Sequence, residues 1–207
     1  KAYQLVQHRW EKKYRKPLGE GRPKMNSDID QTVYMLGMLS GLQAMTNDIN
    51  SGGAVHVPKD IAAIVERGMT CLNNEKFWGA PEATRAVIWT LLPGAGDGKP
   101  DPYQTLKQSM HIGENKGVRL SHALYAVAAQ ASGEDAKIRD ALKAFSNARS
   151  DEKPVNPQFK LIDAMAGSMV QGISDRYWTE NTGVRTGDQQ RFWDEQDDSS
   201  ELDDLFN

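Results

Sequence analysis

Along most of the chain, apolar residues recur every three or four positions, which is the spacing of one face of an α-helix. The pattern opens in residues 1–16 and returns in a long final helix that starts at Pro157. Proline and glycine residues at 17–23 and 93–102 interrupt it, and we expect a linker and a surface loop there. Only residues 54–57 are suited to a short extended segment. The pattern therefore predicts an all-α protein.

Capping and breaking residues suggest where the helices begin. Ser27 with Asp30 resembles a capping box, and Pro58 and Pro81 suit the first turn of a helix, where no amide hydrogen is needed. Ser132 is the expected cap of the helix that follows it. These signals predict seven or eight helices, at residues 1–16, 27–45, 58–72, 81–92, 103–112, 118–131, 134–148 and from 157 onward.

Two of the predicted helices carry small residues at four-residue spacing. One has Gly37 and Gly41, and the other has Ala164, Ser168 and Gly172. A glycine inside a helix costs about 1 kcal/mol relative to alanine, so these glycines need a packing reason. Because small residues on one face let two helix backbones approach closely, we expect these two helices to cross at these faces.

The two ends of the chain carry opposite charge. The net charge is −3, but residues 1–24 hold eight basic and two acidic side chains, and residues 184–207 hold two basic and eight acidic ones. We interpret residues 1–24 as a basic amphipathic arm with a linker, and residues 184–207 as an acidic C-terminal tail. Residues 25–183 are expected to form a single globular multi-helix domain. Such charge asymmetry is typical of segments that meet partners, or each other.

The basic arm interleaves cationic and aromatic side chains. The set comprises Arg9, Trp10, Lys12, Lys13, Tyr14, Arg15 and Lys16. Basic side chains neutralise phosphates and aromatic rings stack on unpaired bases, so this set suits RNA or single-stranded DNA. It also suits an acidic protein surface. A third interpretation stays open, in which Trp10 and Tyr14 pack on the body and the cations are merely solvated.

Apolar side chains also occur within the acidic tail. Five of them are candidate partner contacts, namely Phe192, Trp193, Leu202, Leu205 and Phe206. The charges keep such a segment extended, while two or three apolar side chains can enter a pocket of another protein. The tail therefore predicts a protein partner.

Residues 201–206 (ELDDLF) resemble the short peptides by which bacterial replication proteins bind the sliding clamp. Glu201 stands where those peptides usually carry glutamine. The layout of the tail is also similar to the acidic tips of single-strand-binding proteins. Both resemblances imply a protein partner for the tail. The alternatives are a tail that stays in solvent, and a tail that folds back on the basic arm until a partner competes.

Residues 94–99 (GAGDGK) are rich in glycine but do not match a phosphate-binding loop. Pro93 stands where such a loop needs its first glycine, and Pro100 stands where it needs serine or threonine. The single cysteine, Cys71, excludes an intramolecular disulfide and a multi-cysteine metal site. It fits the cytoplasm or another reducing compartment.

The chain has four histidines, His8, His56, His111 and His122, and no pair of them has the spacing of a helical zinc site. His111 and His122 are the pair that could meet in space, with Glu114 as the nearest carboxylate. We expect no catalytic residue, no metal ligand and no cofactor.

These observations favour a non-enzymatic helical interaction or structural subunit of a larger assembly, which docks through its charged, aromatic-bearing ends. No apolar stretch reaches the roughly 20 residues that a membrane span needs, so we expect no membrane partner. The first alternative is an accessory protein that binds RNA or single-stranded DNA through the basic arm and recruits a protein through the tail. The second is an enzyme with a site near His111 and His122.

Overall fold

The computed structural model describes residues 1–21, 24–149, 154–185 and 189–195, apart from the side chain of Asn50. Within these ranges the chain forms eight α-helices and no strand, which confirms the predicted all-α fold of one globular domain. The helices are α1 (Ala2–Tyr14), α2 (Asp28–Asn50), α3 (Ile61–Met69), α4 (Ala80–Leu91), α5 (Pro102–Lys116), α6 (Leu120–Ser132), α7 (Asp135–Asn147) and α8 (Lys160–Thr182). A 3₁₀ turn, Pro157–Phe159, leads into α8.

The observed helix boundaries agree with some of the capping signals and not with others. Ser27 is the N-cap of α2, but its side chain makes no capping hydrogen bond, and Asp28 and Asp30 in the first turn complement the helix dipole instead. Pro81 lies in the first turn of α4 as expected. Ser132 ends α6, and its hydroxyl accepts a hydrogen bond from the backbone N–H of Glu134, the N-cap of α7.

Helices α4 and α6 form the centre of the molecule. Helix α4 packs against α3, α5 and α6, and helix α6 packs against α4, α5, α7 and α8. Small side chains let neighbouring helices approach closely, and the fully buried alanines of these two helices are Ala80, Ala83, Ala86, Ala123, Ala126, Ala128 and Ala129. Helix α2 lies outside this centre and packs mainly against α1 and α3.

A buried ion pair fixes the start of α8 against α6. Arg119, the N-cap of α6, donates from Nη1 and from its backbone N–H to Oδ1 of Asp163, at 2.9 and 3.0 Å. Its Nε also donates to the backbone carbonyl of Ala148, just after α7, at 2.8 Å. Because both charged groups are buried, removing one partner would cost about 3–5 kcal/mol through the charge left behind.

The prediction that the two small-residue faces cross each other is wrong. A Cβ at Gly37 would lie 2.5 Å from Cγ1 of Val6, and a Cβ at Gly41 would overlap the ring of Tyr3. These glycines therefore accommodate α1, not α8. On α8, Ala164, Ser168 and Gly172 are exposed. Residue spacing reveals that one face of a helix carries small side chains, but it does not identify which neighbouring helix packs against that face.

No helix in the described part of the chain is both long enough and apolar enough to cross a membrane.

Replacing Gly41 with alanine is expected to destabilise the protein by about 1–3 kcal/mol, because the added methyl group overlaps the Tyr3 ring and displaces α1. Gly172→Ala is the matched control: nothing lies within 4 Å of the new Cβ, so the higher helix propensity of alanine should stabilise by about 1 kcal/mol. Urea unfolding of both variants measures the difference. Equal stabilisation by the two substitutions would contradict the packing of α1 on Gly41.

Candidate functional site

An apolar groove of about 760 Å³ lies between α2 and α8. Helix α2 forms one wall and α8 forms the other, while α4 and α6 form the floor and the start of α7 closes one end. There is no extensive direct packing between α2 and α8 within the described residues. The large apolar side chains of the lining are Leu36, Leu39, Leu42, Ile49, Val87, Leu91, Leu120, Leu124, Val127, Ile138, Ile162, Met165, Met169 and Ile173.

The wall formed by α2 exists because this helix is apolar on more than one face. Met35, Met38 and Met45 are fully buried in the core. Leu36 and Leu39 lie one position further around the helix, are half-buried, and line the groove. A helix with one core-facing stripe would carry polar residues at these positions. Helix α2 therefore presents apolar surface both to the core and to the groove.

The wall formed by α8 has the same organisation. Ala166 and Val170 are fully buried where α8 packs on the rest of the body. Met165 and Met169 immediately precede them, remain accessible and line the groove. Methionine side chains are flexible and polarisable, so a wall built from them adapts to ligands of different shape.

The mouth of the groove exposes apolar side chains from both walls. Ile49 of α2 and Met165 of α8 each have 47% of their surface exposed. Leu161 is more exposed, but it does not line the groove. A contiguous accessible apolar surface of this kind, rimmed by polar residues, is typical of a binding site.

Polar side chains border the groove at its edges. On α2 they are uncharged, as in Gln43 and Asn47. On α8, Arg176 donates from Nε to Oε1 of Glu180 at 2.7 Å, so these two charges neutralise each other. At the α7 end, Asp135 pairs with Nε of Arg139 at 2.8 Å. The groove therefore offers apolar burial with a rim of nearly balanced charge.

Residues 189–195 lie against α7 and α8, next to one end of the groove. Phe192 is 3% exposed and packs against Tyr177 and Trp178, with ring centroids 5.8 and 6.1 Å away. The guanidinium carbon of Arg139 lies 4.8 Å from the Phe192 ring centroid and 4.9 Å from that of Trp193. Tyr177 also lines the groove, so this aromatic cluster and the groove share a side chain.

Ion pairs hold the same segment. Arg139 donates from Nη1 and Nη2 to the two carboxylate oxygens of Asp194, at 2.5 and 2.9 Å, and Lys143 Nζ lies 2.6 Å from Oε1 of Glu195. The hydrogen bond from Arg139 lowers the pKa of Asp194, and that from Lys143 lowers the pKa of Glu195. We refer to Arg139, Lys143, Tyr177 and Trp178, together with the segment that they hold, as the tail clamp.

Tyr177 connects the tail clamp to the end of the groove. Burial, and then its hydrogen bond to Asp135, raises the pKa of Tyr177 to about 12. The phenol therefore stays protonated at neutral pH and donates to Asp135, while its oxygen accepts from Nε of Arg139 at 2.8 Å.

The residues predicted for the basic arm fall into two groups in the structure. Trp10 is 5% exposed and packs between Tyr14 and Tyr34, with ring centroids 4.2 and 4.3 Å away. Tyr14 is half-buried, and Lys13 pairs with Asp30. Both aromatic rings therefore pack on the body, and that of Trp10 is buried away from solvent.

The remaining cations of the arm are accessible. Arg9, Lys12, Arg15 and Lys16 are exposed, and none of them forms an ion pair with another described residue. They form the exposed basic surface of α1 and of the turn that follows it.

The predicted tail residues are only partly described. Phe192 is buried in the tail clamp, and Trp193 is 38% exposed there. Leu202, Leu205 and Phe206 lie outside the described residues. For Phe192 and Trp193, the observed contacts are with the chain's own helices.

The two histidines considered for an enzyme site have different surroundings. His122 is fully buried, with Nε2 3.0 Å from Oε1 of Glu114. His111 is exposed and lies 3.2 Å from the side-chain amide of Asn115. Neither ring lines the groove. Within the described ranges, no group of three or more His, Cys, Asp or Glu side chains could hold a metal ion.

The sequence patterns do not reveal the groove. The available signal was a set of apolar residues too broad for one core-facing stripe of a helix. On α2, Leu36 and Leu39 follow the buried core methionines, and on α8, Met165 and Met169 precede buried core residues. Such a set indicates a second apolar contact for each helix, but not that both contacts lie on the same groove.

The chain matches no known protein-family model, and no curated protein or solved structure is significantly similar to it.

Asp194 is expected to titrate below the ordinary aspartate pKa of about 3.9, because Arg139 stabilises its ionised form. Ionised Asp194 therefore stabilises the packing of residues 189–195 against α7 and α8 at pH values above the ordinary pKa. This stabilisation is lost as the pH falls through the lowered pKa. A carboxyl-carbon NMR titration measures the pKa, and Arg139→Gln should return it toward the ordinary value. An ordinary pKa in the unmodified protein would mean that the ion pair does not form in solution.

Proposed function

We propose that this protein is a non-enzymatic helical interaction subunit that binds an apolar, helix-forming segment of a partner protein in the groove between α2 and α8. The observation that supports this most strongly is the open apolar surface made by Leu36, Leu39, Met165 and Met169. Leu36, Leu39 and Met169 pack against the core on one side but remain partly accessible, and Met165 has 47% of its surface exposed.

The length of the groove favours a peptide segment over a small molecule. Its lining on α8 extends from Ile162 to Asn181, which is about 28 Å at about 1.5 Å per helical residue. An amphipathic helix that lies in such a groove inserts apolar side chains spaced three and four residues apart. The uncharged rim at Gln43 and Asn47 leaves the polar face of the ligand in water.

Met165→Glu is expected to weaken the binding of amphipathic helical peptides by at least about tenfold, because a carboxylate would enter the apolar wall without a partner. Peptides are first selected from a displayed library against the chain ending at Glu195, and fluorescence anisotropy then gives their affinities. Leu161→Glu, one turn away on α8 and outside the groove, is the matched control and should have no effect. Failure to select any apolar peptide, or equal losses in both variants, would overturn the proposed function.

A second candidate function is the binding of single-stranded nucleic acid by the exposed surface of α1 and the turn after it. Its support is the accessible cations Arg9, Lys12, Arg15 and Lys16, which are free of ion pairs with other described residues. Because Trp10 is buried, such binding would rest on phosphate contacts and not on base stacking.

Replacing Lys12 and Lys16 with alanine should make the slope of log affinity against log salt shallower by about 1.4 for a single-stranded oligonucleotide, at about 0.7 for each lost phosphate contact. Lys116→Ala with Lys160→Ala removes the same charge from exposed positions elsewhere and is the control. The affinities are measured by titration at several salt concentrations. No binding by the unmodified protein at low salt would eliminate this candidate.

A further inference from the structure

We propose that residues 196–207 of the acidic tail occupy the groove of their own chain, so that a partner segment must displace them. This inference rests on the proposed function, because it requires a groove that accepts apolar helical segments. It adds an internal competitor that regulates access to the groove.

The tail clamp fixes where this segment begins. Asp194 is held by Arg139, and Glu195 is held by Lys143, both on α7. Tyr177, which packs against Phe192 and Trp193, lines the groove from α8. The chain therefore leaves the clamp beside the end of the groove formed by α7 and α8.

The segment is long enough to reach the apolar lining. At about 3.3–3.6 Å per extended residue, the seven steps from Glu195 to Leu202 reach up to about 25 Å, and the eleven steps to Phe206 reach up to about 40 Å. The α8 side of the groove is about 28 Å long. Leu202, Leu205 and Phe206 can therefore reach the groove without disturbing the clamp.

The sequence of the segment has the pattern that such a groove recognises. Leu202, Leu205 and Phe206 stand at positions i, i+3 and i+4, which share one face of a helical turn. Asp203 and Asp204 fall on the other faces of such a turn. Three large apolar side chains would then face the groove, while the carboxylates face water.

The charges around the groove are compatible with an acidic occupant. The α2 rim offers uncharged side chains such as Gln43 and Asn47. The carboxylates of Asp135 and Glu180 on the opposite rim are already paired with Arg139 and Arg176. On the α8 rim the tail would meet Glu180 paired with Arg176, and at the α7 end it would meet Asp135, which shares Arg139 with Asp194.

The tail clamp tethers residues 196–207 beside the groove, so their binding to the groove is intramolecular. Even a weak intrinsic affinity then gives high occupancy. A short tether gives an effective concentration of about 1 mM. If the isolated segment binds with a dissociation constant of about 0.1 mM, the tethered segment occupies the groove about 90% of the time. A competing peptide would then bind about tenfold more weakly to the full chain than to a chain ending at Glu195.

The test compares three proteins by NMR of the methionine methyl groups: the full chain, the chain ending at Glu195, and the full chain with Leu202→Ala, Leu205→Ala and Phe206→Ala. The methyl signals of Met165 and Met169 should move in both altered proteins. Those of Met38 and Met45, which are buried and do not line the groove, should stay in place and serve as internal controls.

Peptide affinity provides a second readout on the same three proteins. A peptide selected on the groove should bind about tenfold more tightly to the truncated and triple-alanine proteins than to the full chain. Unchanged Met165 and Met169 signals with equal peptide affinities would overturn docking of the tail, while the proposed function would stand because the peptides still bind. Methyl shifts that depend on protein concentration would place the tail in the groove of a second copy, which also overturns docking within one chain. Absence of peptide binding to the truncated chain would instead overturn the proposed function.

Discussion

The buried pair of Arg119 and Asp163 is the interaction on which the arrangement of the groove depends. It joins the start of α6, the residue after α7 and the first turns of α8 through three hydrogen bonds. Because α8 is one wall of the groove, its position relative to the floor is fixed at this point. A buried ion pair contributes little net stability compared with apolar packing, but it strongly penalises any arrangement that separates its partners. It therefore acts mainly on the geometry of the groove.

Helices α2 and α8 leave a groove between them because each is anchored to different neighbours. Helix α2 is held by α1 and α3, with Gly37 and Gly41 allowing α1 to pack closely, and α8 is held by α6. Neither wall needs the other for its own burial. Neither helix therefore covers the apolar side chains that line the groove. Apolar surface in contact with water is unfavourable, and a bound segment would remove that contact.

Periodicity predicted the existence of the helices well, because it acts within one element, whereas the capping residues predicted only some of the helix starts. Helix α2 begins after Ser27, and Pro81 lies in the first turn of α4, as expected. The neighbour of each helix could not be derived in the same way. Gly37 and Gly41 were expected to contact α8 but contact α1, since a helical pattern describes a face and not what covers it.

The candidate site was harder to predict for a related reason. The aromatic residues of the two charged ends were expected to be partner contacts, yet Trp10 and Phe192 are buried against the chain's own helices. The contact of Arg139 with Asp194 joins residues 55 positions apart, beyond the reach of any local pattern. Local patterns did reveal the charges and aromatic side chains, but not which of them would meet.

The most direct test of the groove as a binding site is an isotope-filtered NOE spectrum of the chain with an apolar helical segment bound. Our account predicts contacts between the methyl groups of Met165 and Met169 and the leucine or phenylalanine protons of the bound segment. Contacts that fall instead on Leu161, or on the exposed face of α1, would contradict it.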